Sequence, residues 1–167
     1  MIKEYIIKLS DDKRLPVPVC KQEFTYENSK IVDSEDVYRI MKELYTIDKL
    51  AEEYVYMMSI DGSGRLRNIF ELSHGTVNST QIQPREVIQR ILLCGGVSMI
   101  LIHNHPSGIS KSSIEDLIIT KRMKAACDLM GINFLDHVIV GDNEYYSYRD
   151  TEVLEKIWLR RMAEWLD

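Results

Sequence analysis

The chain has 167 residues, a length typical of one domain, and 45% of them are hydrophobic, which is enough to build a buried core. Its net charge of -5 gives no overall positive field for nucleic acid, and no apolar run reaches the roughly 20 residues of a membrane-spanning helix. The N-terminal MIKEYIIKLSDDK is too short and too acidic for a signal peptide. Cys20, Cys94 and Cys127 form no CxxC pair, which predicts reduced thiols in a cytoplasmic protein.

The first fifty residues predict a short strand and one amphipathic helix. The strand is expected over residues 5–9, and a polar, irregular stretch follows through about Lys30. SEDVYRIMKELYTID, residues 34–48, opens on Ser34 and repeats apolar side chains at helical spacing. These are Val37, Ile40, Met41 and Leu44. We expect residues 1–50 to be an extension packed on the rest of a single globular domain.

The remainder of the chain predicts alternating strands and helices. EYVYMMSID (53–61) and RLRNIFELS (65–73) flank a glycine turn and predict a hairpin. Pro84 begins a helix that ends at the glycine pair 95–96, and the apolar run 97–102 is typical of a central strand. The last predicted elements are helix 113–130 ending at Gly131, strands 134–140 and 145–148, and a helix from Thr151.

The strongest chemical signal is ILIHNHPSGISKSSIEDL, residues 100–117. His103 and His105 are two apart, so an extended backbone projects both imidazoles from one face. Asp116 follows in the first turn of a helix capped by Ser113, where an ordinary helix-start carboxylate is the alternative interpretation. It lies in line with an apolar stripe, where an unpaired carboxylate is costly. The stripe comprises Ile119, Met123, Ala126 and Met130. Two histidines and one carboxylate leave a fourth position open, as catalytic zinc requires.

From His103 to Asp116 the chain reproduces the HxHPx6SxxD signature in full and so resembles the JAMM (MPN-plus) metalloproteases. Three segments narrow this resemblance to the RadC family of bacterial JAMM proteins. They are GTVNSTQIQPREV at 75–87, HNHPSG at 103–108 and LDHVIVG at 135–141. The resemblance covers about residues 52–150, which is most of the chain.

This resemblance implies an α/β fold in which a mixed β-sheet is flanked by helices, a three-layer architecture related in shape to the cytidine deaminases. It assigns residues 51–150 to the JAMM domain, followed by a C-terminal helix over 151–167. It also implies one Zn²⁺, held by His103, His105 and Asp116.

The chain departs from the RadC pattern in two places. RadC proteins usually carry a helix-hairpin-helix segment before this domain, and none is readable here, which disfavours a DNA-repair role. The prolines usual between HxHP and the serine are replaced by Ser110 and Ser112, a change that removes no ligand.

The resemblance also implies a catalytic glutamate upstream of the histidines. Glu53 precedes Asp61 by eight residues, as in the RadC pattern, and Glu52 beside it would point to the opposite face of the strand. Spacing alone also permits a solvated glutamate at a strand start. Glu53 is therefore the predicted base, with Glu52 as the alternative.

Ser113 is predicted to have two roles. As N-cap it accepts a hydrogen bond from a backbone N–H, and in JAMM enzymes the serine at this position also donates to an oxyanion. Both roles are compatible if capping uses only the acceptor side of the hydroxyl. Ser112 could instead cap the helix, forming a capping box with Glu115.

Three further sites are weaker candidates. Asp136 and His137 are adjacent in a predicted strand, so they point to opposite faces and cannot both bind the same zinc. We expect neither to be a zinc ligand, but one of them could accept a hydrogen bond from a zinc-binding histidine. His74 is expected at the surface or in a loop. The C-terminal helix carries Trp158 and Trp165 on one side, which indicates docking on the domain, with a homo-oligomer contact as the alternative.

The predicted function is a zinc metallopeptidase or isopeptidase acting on a protein or peptide. A zinc-activated water attacks a carbonyl, Glu53 transfers its proton to the leaving nitrogen, and Ser113 stabilises the oxyanion. One alternative is a metal-dependent nuclease or phosphoesterase. The other is a non-catalytic accessory protein of DNA repair or recombination that binds DNA or a repair partner and keeps a vestigial metal site; the net charge does not favour DNA binding. A deaminase is disfavoured because the PCxxC half of its signature is absent.

Overall fold

A computed structural model describes residues 1–75 and 82–157, and the described strands form one mixed sheet of seven. Their order is β2-β1-β4-β3-β5-β6-β7; β1 runs parallel to β4 and β5 parallel to β6, while the other pairs are antiparallel. The strands are β1 (Ile2–Leu9), β2 (Pro16–Phe24), β3 (Glu53–Ile60), β4 (Leu66–Gly75), β5 (Ser98–Asn104), β6 (Asn133–Val140) and β7 (Tyr145–Ser147). The predicted mixed sheet is confirmed.

Helices cover both faces of this sheet. They are α1 (Ser34–Tyr45), α2 (Pro84–Leu93) and α3 (Ile114–Met130). The helix α1 packs on one face, and α2 and α3 pack on the other, so the predicted flanking helices and three layers are present. The predicted helix 34–48 ends early, at Tyr45, because Thr46 adopts a left-handed conformation with φ 47°. A short 3-10 helix, Ile47–Lys49, follows.

The central strand β5 has core on both sides, since all seven of its residues are buried. Its alternate residues Met99 and Leu101 face α2 and α3, whereas Ile100 and Ile102 face α1. This explains why the run 97–102 is apolar in sequence apart from Ser98. His103, near the end of β5, therefore lies on a strand whose residues are all buried.

The hairpin predicted from residues 53 to 73 is confirmed as β3 and β4. Its turn is held by Asp61, whose backbone N–H donates to the Arg65 carbonyl over 3.0 Å, and Gly64 adopts φ 78°. The strand β3 also pairs with β5, matching Val55 with His103. This register places the first residue of β3 beside the end of β5.

The sequence prediction was wrong for the first hairpin. Residues 16–24 were expected to be irregular, but they form β2, which pairs with β1 at the sheet's edge. An edge strand tolerates Pro16 and Pro18 because its outer N–H groups have no partner strand. Its residues are also largely exposed, so they lack the alternating apolar pattern that identifies a strand.

Helical residues near the C-terminus begin at 153 and are described through 157. The side chain of Leu154 is buried against the core that also contains α2 and α3. The predicted contacts of Trp158 and Trp165, and most of the segment GTVNSTQ, lie outside the described residues. The proposed boundary at residues 50 and 51 stays a prediction. Among the described residues, no helix combines the length and apolar character needed to cross a membrane.

Candidate metal centre

The side chains predicted to bind zinc converge on one point between β5 and α3. His103 Nε2 lies 3.0 Å from His105 Nε2 and 3.1 Å from Asp116 Oδ1. His105 Nε2 lies 3.5 Å from Asp116 Oδ2. His103 is in β5, His105 follows one residue after that strand ends, and Asp116 is in the first turn of α3. Three parts of the fold therefore meet here with their ligand-type atoms facing one another.

Glu53 reaches the same point from β3. Its Oε1 lies 3.9 Å from His103 Nε2, and Glu53, His103 and His105 each offer an atom within 4.8 Å of the others. The Asp116 oxygens approach both imidazoles more closely than this, so Asp116 fits a ligand position and Glu53 a position just outside it. Glu52 is exposed at the preceding residue.

A small, partly open space is lined by Glu53, His103 and Asp116. It is about 10 Å³ in volume, and its remaining walls are mostly apolar. A space of this size holds roughly one water molecule. The walls are formed by Val55, Ile82, Leu101, Ile119 and His137.

The helix cap fixes the orientation of Asp116. Ser113 is the N-cap of α3, and it forms a capping box with Asp116 rather than the alternative box of Ser112 with Glu115. Asp116 Oδ2 accepts hydrogen bonds from the Ser113 N–H at 2.8 Å and the Ser113 hydroxyl at 2.6 Å. The other oxygen, Oδ1, is left to face His103. The hydroxyl hydrogen of Ser113 is thus already donated, contrary to the expectation that capping leaves it free.

The apolar stripe of α3 differs from the predicted one. Asp116 and Ile119 are buried as expected, but Met130 is 48% exposed at the last residue of the helix. Thr120 and Cys127 are fully buried in its place. The stripe therefore runs at helical spacing i, i+4, i+7 and i+11 from Asp116, and it includes a threonine that sequence analysis missed.

The protonation of His105 follows from its hydrogen bond to the backbone. Its Nδ1 lies 2.8 Å from the Ile109 carbonyl oxygen, which can only accept, so Nδ1 carries the proton. In the neutral ring, Nε2 therefore presents a lone pair to the site. In the protonated ring Nε2 donates a hydrogen bond to Asp116 instead, and this raises the pKa of His105, with the Ile109 carbonyl adding to the effect and burial opposing it.

The same reasoning applies to His103 through a chain of three hydrogen bonds. The Thr120 hydroxyl donates to the Asp116 carbonyl over 2.6 Å, so it accepts from His137 Nδ1, also at 2.6 Å. His137 stays neutral because burial, reinforced by repulsion from His103, lowers its pKa well below the ordinary value. Its Nε2 therefore accepts from His103 Nδ1 at 2.9 Å. This leaves His103 Nε2 with a lone pair toward the site.

When both rings are neutral, the two imidazole lone pairs and the carboxylate face one another, and a positive charge among them, either a proton on an imidazole or a metal ion, relieves their repulsion. Tetrahedral zinc, with ligand bonds of 2.0–2.1 Å, separates its ligand atoms by about 3.3 Å. His103 Nε2 lies 3.0 Å from His105 Nε2 and 3.1 Å from Asp116 Oδ1, close to that value, whereas the 3.5 Å separation of His105 Nε2 is from the other carboxylate oxygen, Oδ2. The donor set and its spacing therefore fit a zinc ion.

Thr120→Val tests the hydrogen-bond chain. Valine keeps the shape of threonine but cannot accept from His137 Nδ1, so the proton arrangement of His103 loses its support. We expect zinc affinity to fall about 10–100-fold, as for other partners of zinc-binding histidines, measured by competition with a chelator. Thr120→Ser keeps the hydroxyl and should retain the wild-type affinity. An unchanged affinity in Thr120→Val would contradict the proposed proton arrangement.

The carboxylates of the site differ in how their pKa values are shifted. Burial raises the pKa of Glu53 above its ordinary value, and the nearby histidines offset this only in part. Burial also acts to raise the pKa of Asp116, but hydrogen bonds to His103, His105 and Ser113 outweigh it and hold that pKa well below the usual range. Asp116 is thus a permanent anion, whereas Glu53 is better suited to exchanging protons.

The loop between His105 and α3 is fastened to the neighbouring turn between β6 and β7. The Glu144 carboxylate accepts from both the N–H and the hydroxyl of Ser110, at 2.7 and 2.9 Å. The Ser112 hydroxyl is hydrogen-bonded to that of Tyr148. Both serines that stand in place of prolines are therefore anchored by hydrogen bonds that proline cannot make. The anchored loop in turn places the Ile109 carbonyl against His105.

Gly141→Ala tests this fastening. A Cβ at Gly141 would lie 2.4 Å from the Gly108 carbonyl oxygen and 2.8 Å from the Ser110 nitrogen, so the loop must move. We expect a loss of stability of about 1–3 kcal/mol from the forced contact. We also expect weaker zinc binding, since His105 loses its fixed orientation. Gly62→Ala is the matched control because a Cβ there meets nothing within 4 Å. Wild-type zinc binding in Gly141→Ala would show that the loop does not orient His105.

The remaining candidates lie outside the ligand set. Asp136 and His137 point to opposite faces of β6, as alternation predicts, and Asp136 accepts from the Ser147 hydroxyl at 2.6 Å. Burial raises the pKa of Asp136 to about 6. His74 is exposed on β4, so its predicted surface position holds, although it lies in a strand rather than a loop. Its Nδ1 contacts Glu71 Oε1 at 2.7 Å.

Comparison with known proteins gives a consistent result. The family model described as "RadC-like JAB domain" matches residues 31–153. A UPF0758 protein of Actinobacillus pleuropneumoniae serotype 5b is 40% identical over 100 residues, covering 59% of this chain and 46% of that protein. A UPF0758 protein of Pelobacter propionicus is 38% identical over 110 residues, covering 66% of this chain and 48% of that protein. The chain thus matches about half the length of these curated relatives.

Proposed function

This chain belongs to the RadC-like JAB domain family, and from that premise we propose that it is a zinc-dependent peptidase or isopeptidase. One observation carries the proposal: the Nε2 atoms of His103 and His105 and the carboxylate of Asp116 converge within 3.5 Å beside Glu53, whose pKa is raised. Family membership and this group of side chains support a metal-dependent hydrolase. The choice of zinc and of an amide substrate is the further step proposed here.

Zinc held by His103, His105 and Asp116 would supply a Lewis acid that polarises a carbonyl and makes water easier to deprotonate. Glu53 would accept the proton of the attacking water and deliver it to the leaving nitrogen. Its position supports this role, because an oxygen 3.9 Å from His103 Nε2 lies beyond direct hydrogen bonding and leaves room for the water. The raised pKa of Glu53 favours both acceptance and release of the proton.

Ser113 would act first through Asp116. Its N–H and hydroxyl both hold Asp116 Oδ2, so its main contribution is to aim the carboxylate at the site. Stabilising an oxyanion would require the hydroxyl to turn away from Asp116 as the tetrahedral species forms. We keep this second role as part of the proposal, since the hydroxyl lies at the opening of the same helix.

A peptide-library cleavage assay tests the proposed activity. Zinc-loaded protein should cut a subset of peptides, and chelation should remove the activity while added zinc restores it. The variant Glu53→Gln, also zinc-loaded, is the control for contaminating peptidases. Cleavage that survives in this control would not belong to the site. Isopeptide-linked substrates in the same assay distinguish the two amide classes.

A DNA-associated function is the alternative, and the net charge of -5 does not favour it. Arg67 forms an ion pair with Asp61 at 2.6 Å, and Lys124 forms one with Asp128 at 2.5 Å. The positive charges of these two side chains are therefore balanced by neighbouring carboxylates. We expect no DNA affinity tighter than about 10⁻⁴ to 10⁻⁶ M at physiological salt, the usual non-specific range. Titration of labelled single- and double-stranded DNA at two salt concentrations measures it. Nanomolar binding with a steep salt dependence would favour the DNA-acting alternative.

A cytoplasmic location remains part of the proposal. All three cysteines are free thiols, including the exposed Cys20, which suits a reducing compartment.

A further inference from the structure

The two histidines of the site are separated by Asn104, whose side chain is only 2% exposed although it is polar. Its amide does not point into the site. It reaches instead toward the segment that enters β3, where Glu53 is the first residue. We propose that Asn104 is the positioning residue for Glu53, holding the backbone that carries this carboxylate at a fixed distance from the histidine pair. The inference rests on the proposed function, in which Glu53 is the base.

The hydrogen bonds of Asn104 enclose Glu53 on both sides. Its Oδ1 accepts from the backbone N–H of Tyr54 at 2.8 Å, and its Nδ2 donates to the backbone carbonyl of Glu52 at 3.0 Å. A second, longer donation reaches the carbonyl of Leu50 at 3.4 Å. The acceptor and the donor group of the amide thus bind three residues, Leu50, Glu52 and Tyr54, within a five-residue span that includes the proposed base.

The strand register explains why a side chain is needed at this point. The described pairing between β3 and β5 runs from Ile60 opposite Ser98 to Val55 opposite His103. Glu53 and Tyr54 lie beyond this last pair, so on the side of the histidines β5 does not hold them; β4 pairs with them only on the opposite side of β3, at Gly75 and His74. The Asn104 amide continues the ladder past its end by presenting an acceptor to one backbone N–H and a donor to one backbone carbonyl.

The chemistry of the amide is specific for this task. An aspartate has the same shape, but in its charged form it lacks a donor and would face the carbonyl oxygens of Leu50 and Glu52. Alanine removes all three bonds. We call these three hydrogen bonds of the Asn104 amide the clamp. Because Asn104 lies between His103 and His105, the clamp links the backbone that carries the base to the backbone that carries both histidines. A displacement of about 1 Å between such groups can reduce the rate about a hundredfold.

The clamp can be tested without relying on catalysis. Protein labelled with ¹³C-glutamate and loaded with Co²⁺ should show a paramagnetic shift at the Glu53 carboxyl carbon, because that group lies beside the metal. In Asn104→Ala this shift should be lost or displaced, whereas Co²⁺ affinity stays near that of wild type. Amide hydrogen exchange at Tyr54 should accelerate about tenfold or more as its hydrogen-bond acceptor disappears. Asn104→Asp keeps side-chain volume and the acceptor for the Tyr54 N–H but loses the donations to Leu50 and Glu52, so it should displace the Glu53 signal while changing Tyr54 exchange less, and it serves if the alanine variant folds poorly.

Asn133→Ala is the matched control, since Asn133 also anchors β5, through Ser98 at the opposite end of the strand, at 3.3 Å. It should leave the Glu53 signal and Tyr54 exchange unchanged. With an active substrate, Asn104→Ala should lower kcat about 10–100-fold with little change in KM, and should lower it no further in a Glu53→Gln background.

An unmoved Glu53 signal in a variant whose Tyr54 amide has become exposed would overturn the inference. The inference would also be overturned if Asn104→Ala lowered kcat by the same factor in the Glu53→Gln background as in the wild type, because Asn104 would then act through a group other than Glu53. If the wild-type protein cleaves no peptide, the Co²⁺ and exchange measurements still decide the clamp. In that case the proposed peptidase function fails, whereas the positioning role of Asn104 is still tested by the Glu53 signal and by Tyr54 exchange.

Discussion

Purified protein is expected to contain about one zinc per chain, and His103→Ala or Asp116→Ala should each abolish stoichiometric zinc. Each change removes one of three ligands, and the two that remain cannot close a tetrahedral site with water alone in the other positions. Metal analysis after extensive dialysis measures zinc per chain, and circular dichroism confirms that the fold survives. Asp116→Ala also deprives Ser113 of its partner, so a stability loss of about 1–2 kcal/mol is expected with it.

His74→Ala is the control for this experiment, since His74 is an exposed histidine on the same sheet. It should retain the full zinc content. The double variant His103→Ala/His105→Ala lacks both predicted histidine ligands and should contain no stoichiometric zinc. Stoichiometric zinc in that variant would place the metal somewhere else in the protein.

Glu53→Gln should reduce hydrolysis about a hundredfold or more while leaving zinc in place. Glutamine keeps the size of the side chain but lacks a basic oxygen, so the attacking water has no proton acceptor within reach. Steady-state kinetics on a substrate from the peptide library, together with zinc content, separates this loss from metal loss.

The adjacent Glu52→Gln is the matched control and should have little effect. The Glu52 side chain is exposed, and its backbone carbonyl, which the substitution preserves, is the group that Asn104 binds. If Glu52→Gln proves the more damaging change, the strand register inferred for the base is wrong by one residue.

The clustering of the site residues could be predicted because its signals are local in sequence. Two histidines at strand spacing and an aspartate just after a helix cap specify directions without knowledge of the rest of the fold. The structure brings His103, His105 and Asp116 together as expected, with Glu53 next to them. Their roles as ligands and base stay predictions until metal content and kinetics are measured.

The supporting residues could not be predicted because they act across elements. Thr120 matters through a hydrogen bond to His137 on β6, and Asn104 through the backbone of β3. Neither contact leaves a spacing pattern in the sequence, although Thr120 lies four residues after Asp116, which is one helical turn. Ser113 shows the same limit, since its cap position follows from sequence but the destination of its hydroxyl hydrogen does not.

The β1–β2 hairpin has a consequence for the solubility of the folded protein. The family match begins at residue 31, after the hairpin, yet β1 pairs directly with β4 through Lys3 and Glu4. A chain shortened to that point would leave the ten-residue strand β4 as an open edge able to recruit strands from other molecules. In the intact hairpin the outermost strand is β2 instead. Pro16 and Pro18 have no backbone N–H, so β2 lacks two of the hydrogen-bond donors that an added strand would need. We therefore expect the hairpin to disfavour aggregation by strand addition at this edge of the sheet.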